Sequence, residues 1–143
     1  MNVIFTCGGT GGHINPAIAV ANILKERHPD CNILFIGAAR NMEEKLVPQA
    51  GYALRTMPGG GLARSITLKN LRWNMKVGRR IYNAVKECKK IFEEFQPDVI
   101  VGTGGFASFP ALYAGAKMGI PTCVHESNAV PGLTTKLVAD QAT

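Results

Sequence analysis

The apolar residues of this chain fall in short runs, and the stretches between them carry either glycine-rich turns or helical spacing. Val3-Ile4-Phe5-Thr6-Cys7 is such a run, stopped by Gly8, and has the length of a buried strand. From Pro16 to Arg27, Ala17, Val20, Ala21 and Leu24 recur on one face, which predicts a helix. Asn32 to Ile36 predicts a second strand, Glu43 to Gln49 a short helix, and Tyr52 to Thr56 a weaker third strand before the flexible Pro58-Gly59-Gly60-Gly61. A long basic helix is expected over roughly Leu68 to Phe95, and Pro97-Asp98 ends it. Val99-Ile100-Val101 then reads as a buried strand running into Gly102-Thr103-Gly104-Gly105. Ser108 to Met118 predicts a helix, Pro121 to Val124 a strand, His125-Glu126-Ser127-Asn128 a loop, and Pro131 to Asp140 a last helix.

Strands alternating with helices predict an α/β fold, a parallel sheet with helices on both faces. In such sheets ligands bind beyond the carboxyl ends of the strands, near a switch in strand order. Three loops leave strands at that edge: Gly8 to His13, Gly102 to Phe106, and His125 to Asn128. They hold nearly all of the unusual chemistry in the sequence.

At 143 residues the chain has room for one domain, expected over 1–143. Neither a leader pattern nor an apolar run of the ~20 residues that a spanning helix needs is present. Cys7, Cys31, Cys88 and Cys123 lie far apart without metal-site spacing, so reduced structural thiols are expected and no metal is. The net charge of +6 is unevenly spread. Between Arg64 and Lys90 nine basic side chains stand against Glu87 alone, a net +8 that leaves −2 for the remainder.

Glycines in Gly8-Gly9-Thr10-Gly11-Gly12-His13 let the backbone approach a ligand closely, and the amides opening the next helix favour a phosphate or diphosphate. No Lys-Ser/Thr pair follows, as a P-loop requires, and no acidic residue sits suitably after the second strand, as a dinucleotide site requires. Gly102-Thr103-Gly104-Gly105 repeats the arrangement at the next strand, so that two loops can cradle one diphosphate; tight helix-on-strand packing is the competing role for the same glycines. His13, at the end of the first loop, can serve as a general base near neutral pH or as a structural residue. Glu126 and Asn128 are suited to sugar hydroxyls or a second proton transfer, or else to capping their own loop.

These three motifs in order, with Pro16 after the first and Ala129-Val130-Pro131-Gly132 after the third, resemble the MurG family of glycosyltransferases, family 28, over the whole chain. The resemblance implies the Rossmann-like N-terminal half of a GT-B enzyme. It binds the acceptor and the membrane, while a C-terminal donor-binding domain lies outside these residues. It implies an inverting transfer of N-acetylglucosamine from UDP-GlcNAc to lipid I, the undecaprenyl-diphosphate-linked muramoyl peptide, giving lipid II for peptidoglycan, with no cofactor. By the same resemblance Thr10, Gly11, Gly12 and Asn128 stand at the donor sugar. His13 is the catalytic base with Glu126 a second candidate, and Gly102, Thr103, Gly104 and Gly105 join the substrate site. Ser127 stands where family members commonly carry Gln. The domain alone is expected to be inactive. A non-catalytic, membrane-anchoring acceptor subunit of a split transferase is the alternative, and a soluble Rossmann module for a nucleotide cofactor a third reading.

The long helix bears on location. Lys69, Arg72, Lys76, Arg79 and Arg80 are expected on one face, and Leu68, Leu71, Met75, Tyr82, Val85 and Phe92 in the core seam. Trp73 and Val77 are expected beside the basic face, so that Lys69, Arg72, Trp73, Lys76, Val77 and Arg80 would meet anionic headgroups at the cytoplasmic face of the membrane. A solvated charged face is the plainer possibility. Nucleic acid is not expected, since stacking aromatics and a recognition motif are lacking.

Overall fold

The computed structural model describes residues 1–58 and 68–143, with the side chains of residues 68–75 left aside. Five strands, β1 (Asn2–Thr6), β2 (Asn32–Ala38), β3 (Ala53–Met57), β4 (Val99–Gly102) and β5 (Thr122–Val124), form one sheet in the order β3-β2-β1-β4-β5. Every neighbouring pair is parallel. Helices α1 (Gly11–Arg27), α2 (Glu43–Gln49), α3 (Leu68–Phe95), α4 (Ser108–Lys117) and α5 (Leu133–Val138), with a 3-10 turn at Ala139–Gln141, make the connections. The order reverses between β1 and β4, so the crevice that parallel sheets open at such a switch lies between the loops after those two strands.

Alternation along the strands builds two apolar layers. Val3 and Phe5 of β1 and Phe35 of β2 face Ile14, Ala17 and Ala21 of α1 and Val47 of α2. The intervening Ile4, Leu34, Ile36 and Ile100 face Ala84, Cys88, Ile91 and Phe92 of α3 and Ala111 and Leu112 of α4. Phe5 and Phe35 stack with ring centroids 5.3 Å apart. Removing a ring of that size from a core costs about 3–5 kcal/mol, so the sheet is a rigid base for the loops at its rim.

Two helices differ from the sequence expectation. Helix α1 starts at Gly11 rather than at Pro16, because the amides of His13 and Ile14 already bond Thr10 O. Burial of Ile14 in the core offsets the poor helix propensity of Gly11 and Gly12. On this helix Val20, expected in the buried face, is 48% exposed.

Helix α3 has the expected bounds but a different phase. Its buried seam is Val77, Ala84, Cys88, Ile91 and Phe92, with Ile81, Val85 and Phe95 partly covered. Tyr82, expected in that seam, is 70% exposed. Val77, expected at the membrane, is fully buried, since it shares one side of the helix with Ala84 and Cys88, seven and eleven residues on. The expected contacts Lys69, Arg72 and Trp73, the seam positions Leu68, Leu71 and Met75, and the turn at Gly59 to Gly61 lie outside the described side chains. Lys76, Arg79, Arg80 and Lys86 are exposed. Among the described residues no helix is long and apolar enough to cross a membrane.

Candidate active site

With all strands parallel, the loops after β1, β4 and β5 leave the same edge of the sheet. They touch one another there. Gly105 takes φ +80°, and a side chain on it would strike the carbonyl of Gly8. Packing as close as this, with a positive φ, explains the glycine at position 105 without any ligand. From the third loop, His125 N donates to Gly102 O at 2.8 Å, tying β5 to β4.

Beneath the first loop lies a residue that the sequence reading missed. Glu43, at the start of α2, is fully buried, and its carboxylate accepts from Gly9 N at 3.3 Å and from Ala38 N at 3.2 Å. Side chains on Gly8 or Gly37 would occupy the space that Glu43 fills. Glu43 and Glu44 both stand in the first turn of a short helix, where acids signal only a favourable place in the helix dipole, which is why nothing in the sequence marked Glu43 out. The Cys7 thiol beside it is pushed up to about 12 by burial and then by the Glu43 charge, so it stays protonated and inert.

Gly9 N is committed to Glu43, and His13 and Ile14 bond Thr10, whereas the leading amides of α1 at Gly11 and Gly12 have no partner among the described residues. In the second loop, the amides of Gly105 and Phe106 have no partner among the described residues. The structure thus brings unpaired N–H groups from two loops to one edge. An anion is favoured beside them.

His13 joins the two loops. Its Nδ1 lies 3.1 Å from Thr103 O and 3.4 Å from Ser127 Oγ. In return the Thr103 hydroxyl donates to His13 O at 2.6 Å. Thr103 and Gly102, expected to touch substrate, are instead buried, Gly102 beneath Leu112 and Thr103 with its hydroxyl turned to His13. Gly104 has φ +100°, and an added Cβ would lie 2.7 Å from His13 Nδ1. The imidazole therefore occupies space that only glycine leaves.

A cleft of about 310 Å³ opens here, lined among others by His13, Gly104, Gly105, Glu126, Asn128 and Thr134. Thr10, Gly11 and Gly12 are not in its lining. Phe106 and the start of α5, Leu133 to Thr135, line it as well and were not singled out from sequence; ordinary Leu and Thr residues carry no signal of their own.

Glu126 is the anchor of the third loop. Oε1 accepts from Asn128 N at 2.9 Å and from Asn128 Nδ2 at 2.6 Å. Oε2 accepts from Gly132 N at 2.8 Å and from the Thr135 hydroxyl at 2.6 Å. The Thr135 hydroxyl above all, followed by the Gly132 and Asn128 amides, holds this carboxyl down at about 2. A carboxylate so occupied is a weak proton acceptor near neutral pH. Among the described residues no cluster of His, Cys, Asp and Glu could hold a metal ion.

The family model described as the glycosyltransferase family 28 N-terminal domain matches residues 3–143. A protein of Limosilactobacillus fermentum named UDP-N-acetylglucosamine--N-acetylmuramyl-(pentapeptide) pyrophosphoryl-undecaprenol N-acetylglucosamine transferase is 47% identical over 97% of this chain and 37% of its own length. A protein of the same name from Alkaliphilus oremlandii is 46% identical over 96% of this chain and 37% of its own length. The crystal structure of Acinetobacter baumannii MurG aligns with TM-score 0.81 at 26% identity, over 99% of this chain and 40% of that one. The chain thus spans little more than a third of the length of these relatives.

Proposed function

The chain belongs to glycosyltransferase family 28, as its N-terminal domain, and from that membership we propose that it is the acceptor-binding part of an enzyme that transfers N-acetylglucosamine from UDP-GlcNAc to lipid I. The supporting observation is the position of His13, on the cleft that Gly105 and Phe106 of the second loop and Glu126 and Asn128 of the third line with it. Its Nδ1 faces a carbonyl oxygen, which only accepts, so Nδ1 carries the proton and Nε2 is the free base.

In this mechanism His13 Nε2 takes the proton of the acceptor hydroxyl as its oxygen attacks the anomeric carbon. The bond to UDP breaks on the opposite side of the sugar, and the configuration inverts. The diphosphate of lipid I is held by the amides of Gly11, Gly12, Gly105 and Phe106. Asn128, whose amide nitrogen is held by Glu126, turns its oxygen to sugar hydroxyls. Glu126 organises the loop and does not transfer the proton. In the whole enzyme His13→Ala should lower turnover by roughly 10²–10⁴-fold with little change in the KM for UDP-GlcNAc. Unchanged turnover would remove His13 as the base.

The exposed cations of α3 support peripheral docking on an anionic membrane, with Arg79, Tyr82 and Lys86 at i, i+3 and i+7 on the side away from the core. Sedimentation with phosphatidylglycerol vesicles should carry the chain down at low salt and release it as salt rises. Equal binding to neutral vesicles would contradict this.

A further inference from the structure

We propose that Thr103 is a positioning residue that clamps His13 at two points and keeps its imidazole in the Nδ1-protonated tautomer. This rests on the reading of His13 as the base and extends it to the group that makes the base ready. The two contacts run in opposite directions between the same two residues: ring Nδ1 to Thr103 O at 3.1 Å, and Thr103 Oγ1 to His13 O at 2.6 Å.

The Thr103 peptide is itself fixed. Its side chain is 1% exposed, and its amide donates to Thr6 O at 3.1 Å, at the end of the central strand. On the far side, Gly104 with φ +100° leaves the gap in which the ring lies. The hydroxyl on His13 O holds the first turn of α1 against the second loop, and that turn sets how far Nδ1 stands from the Thr103 carbonyl. Ser127 Oγ, 3.4 Å from Nδ1, adds a polar neighbour on the third side. The nearby carboxylate of Glu126 is taken by Asn128, Gly132 and Thr135. Thus a main-chain carbonyl does here what a carboxylate does behind many catalytic imidazoles: it fixes which nitrogen is bare.

A neutral histidine free in water prefers its proton on Nε2, so the clamp must invert the ordinary preference, and that is measurable without turnover. Two-bond 15N–1H correlation spectra of this chain, taken where His13 is neutral, should show Nδ1–H as the dominant form. Thr103→Val keeps the shape and removes the donor, and should shift the tautomer ratio toward Nε2–H by about fivefold, the factor set by losing one hydrogen bond of ordinary strength. Thr103→Ser should keep the wild-type ratio, and Thr103→Cys, a weaker donor, should fall between. A wild-type spectrum dominated by Nε2–H overturns the proposal with no variant needed. A folded Thr103→Val chain with the wild-type ratio overturns it as well. Loss of the clamp would leave the base assignment standing, since that is decided by turnover in the His13→Ala enzyme.

Discussion

The two glycine loops look alike in sequence, Gly8-Gly9-Thr10-Gly11-Gly12 and Gly102-Thr103-Gly104-Gly105, and do different work. In the first, Gly11 and Gly12 sit inside the opening turn of α1, where an added Cβ would come no nearer than 3.7 Å to its surroundings. Nothing steric requires glycine there, and what the two positions offer is open amides. In the second, Gly104 and Gly105 take positive φ, one leaving room for the His13 ring and the other touching the Gly8 carbonyl. That loop is a bracket. The same residue type thus serves backbone donation at Gly11 and Gly12 and close packing at Gly104 and Gly105, as it does at Gly8 over Glu43, and only the neighbours tell which.

The contrast is sharpest at Gly105→Ala, where a positive φ and a collision with backbone act together. We expect a loss of stability of at least about 1–3 kcal/mol in urea unfolding, since neither the Gly8 carbonyl nor the strand behind it can move freely. A loss below half a kcal/mol would mean that the loops do not pack as described.

Glu126→Gln tests the third loop by its pH dependence. A carboxyl whose folded-state value is lowered to about 2 stabilises the fold above its unfolded value, and that contribution fades as pH falls toward the folded one. The variant should melt below the wild type at pH 7, and the gap should close between about pH 4.5 and pH 2. A pH-independent gap would contradict the donor set around this carboxylate. The smallest effect is expected at Gly12→Ala, within about 1 kcal/mol of wild type and in the stabilising direction, as for an Ala replacing Gly in a helix. A large loss there would erase the distinction between the loops.

Much of this was legible in the sequence because strand and helix periods are local properties. Alternation fixed on Val3 and Phe5 or on Ile4 sends side chains to opposite layers whatever the partner is, and Pro97 marks the end of α3 directly. The start of α1 was not legible, because Gly11-Gly12 are poor helix formers whose turn is held by tertiary contacts, Ile14 in the core and Thr103 on His13 O. The phase of α3 was misjudged at Val77 and Tyr82, since the outer half of the helix suggested a different seam from the one that Ala84 and Cys88 bury. Glu43 was invisible for a related reason. A buried acid is recognised by the amides that close on it, and Gly9 comes from the loop after β1 and Ala38 from the end of β2.

The account stands on unpaired amides from two loops meeting one diphosphate. Backbone 15N–1H shifts of this chain, followed while a short-chain lipid I analogue is titrated in, test it most directly. Gly11, Gly12, Gly105 and Phe106 should move together along one binding curve. Shifts confined to one loop, or curves with separate midpoints, would contradict a single shared site.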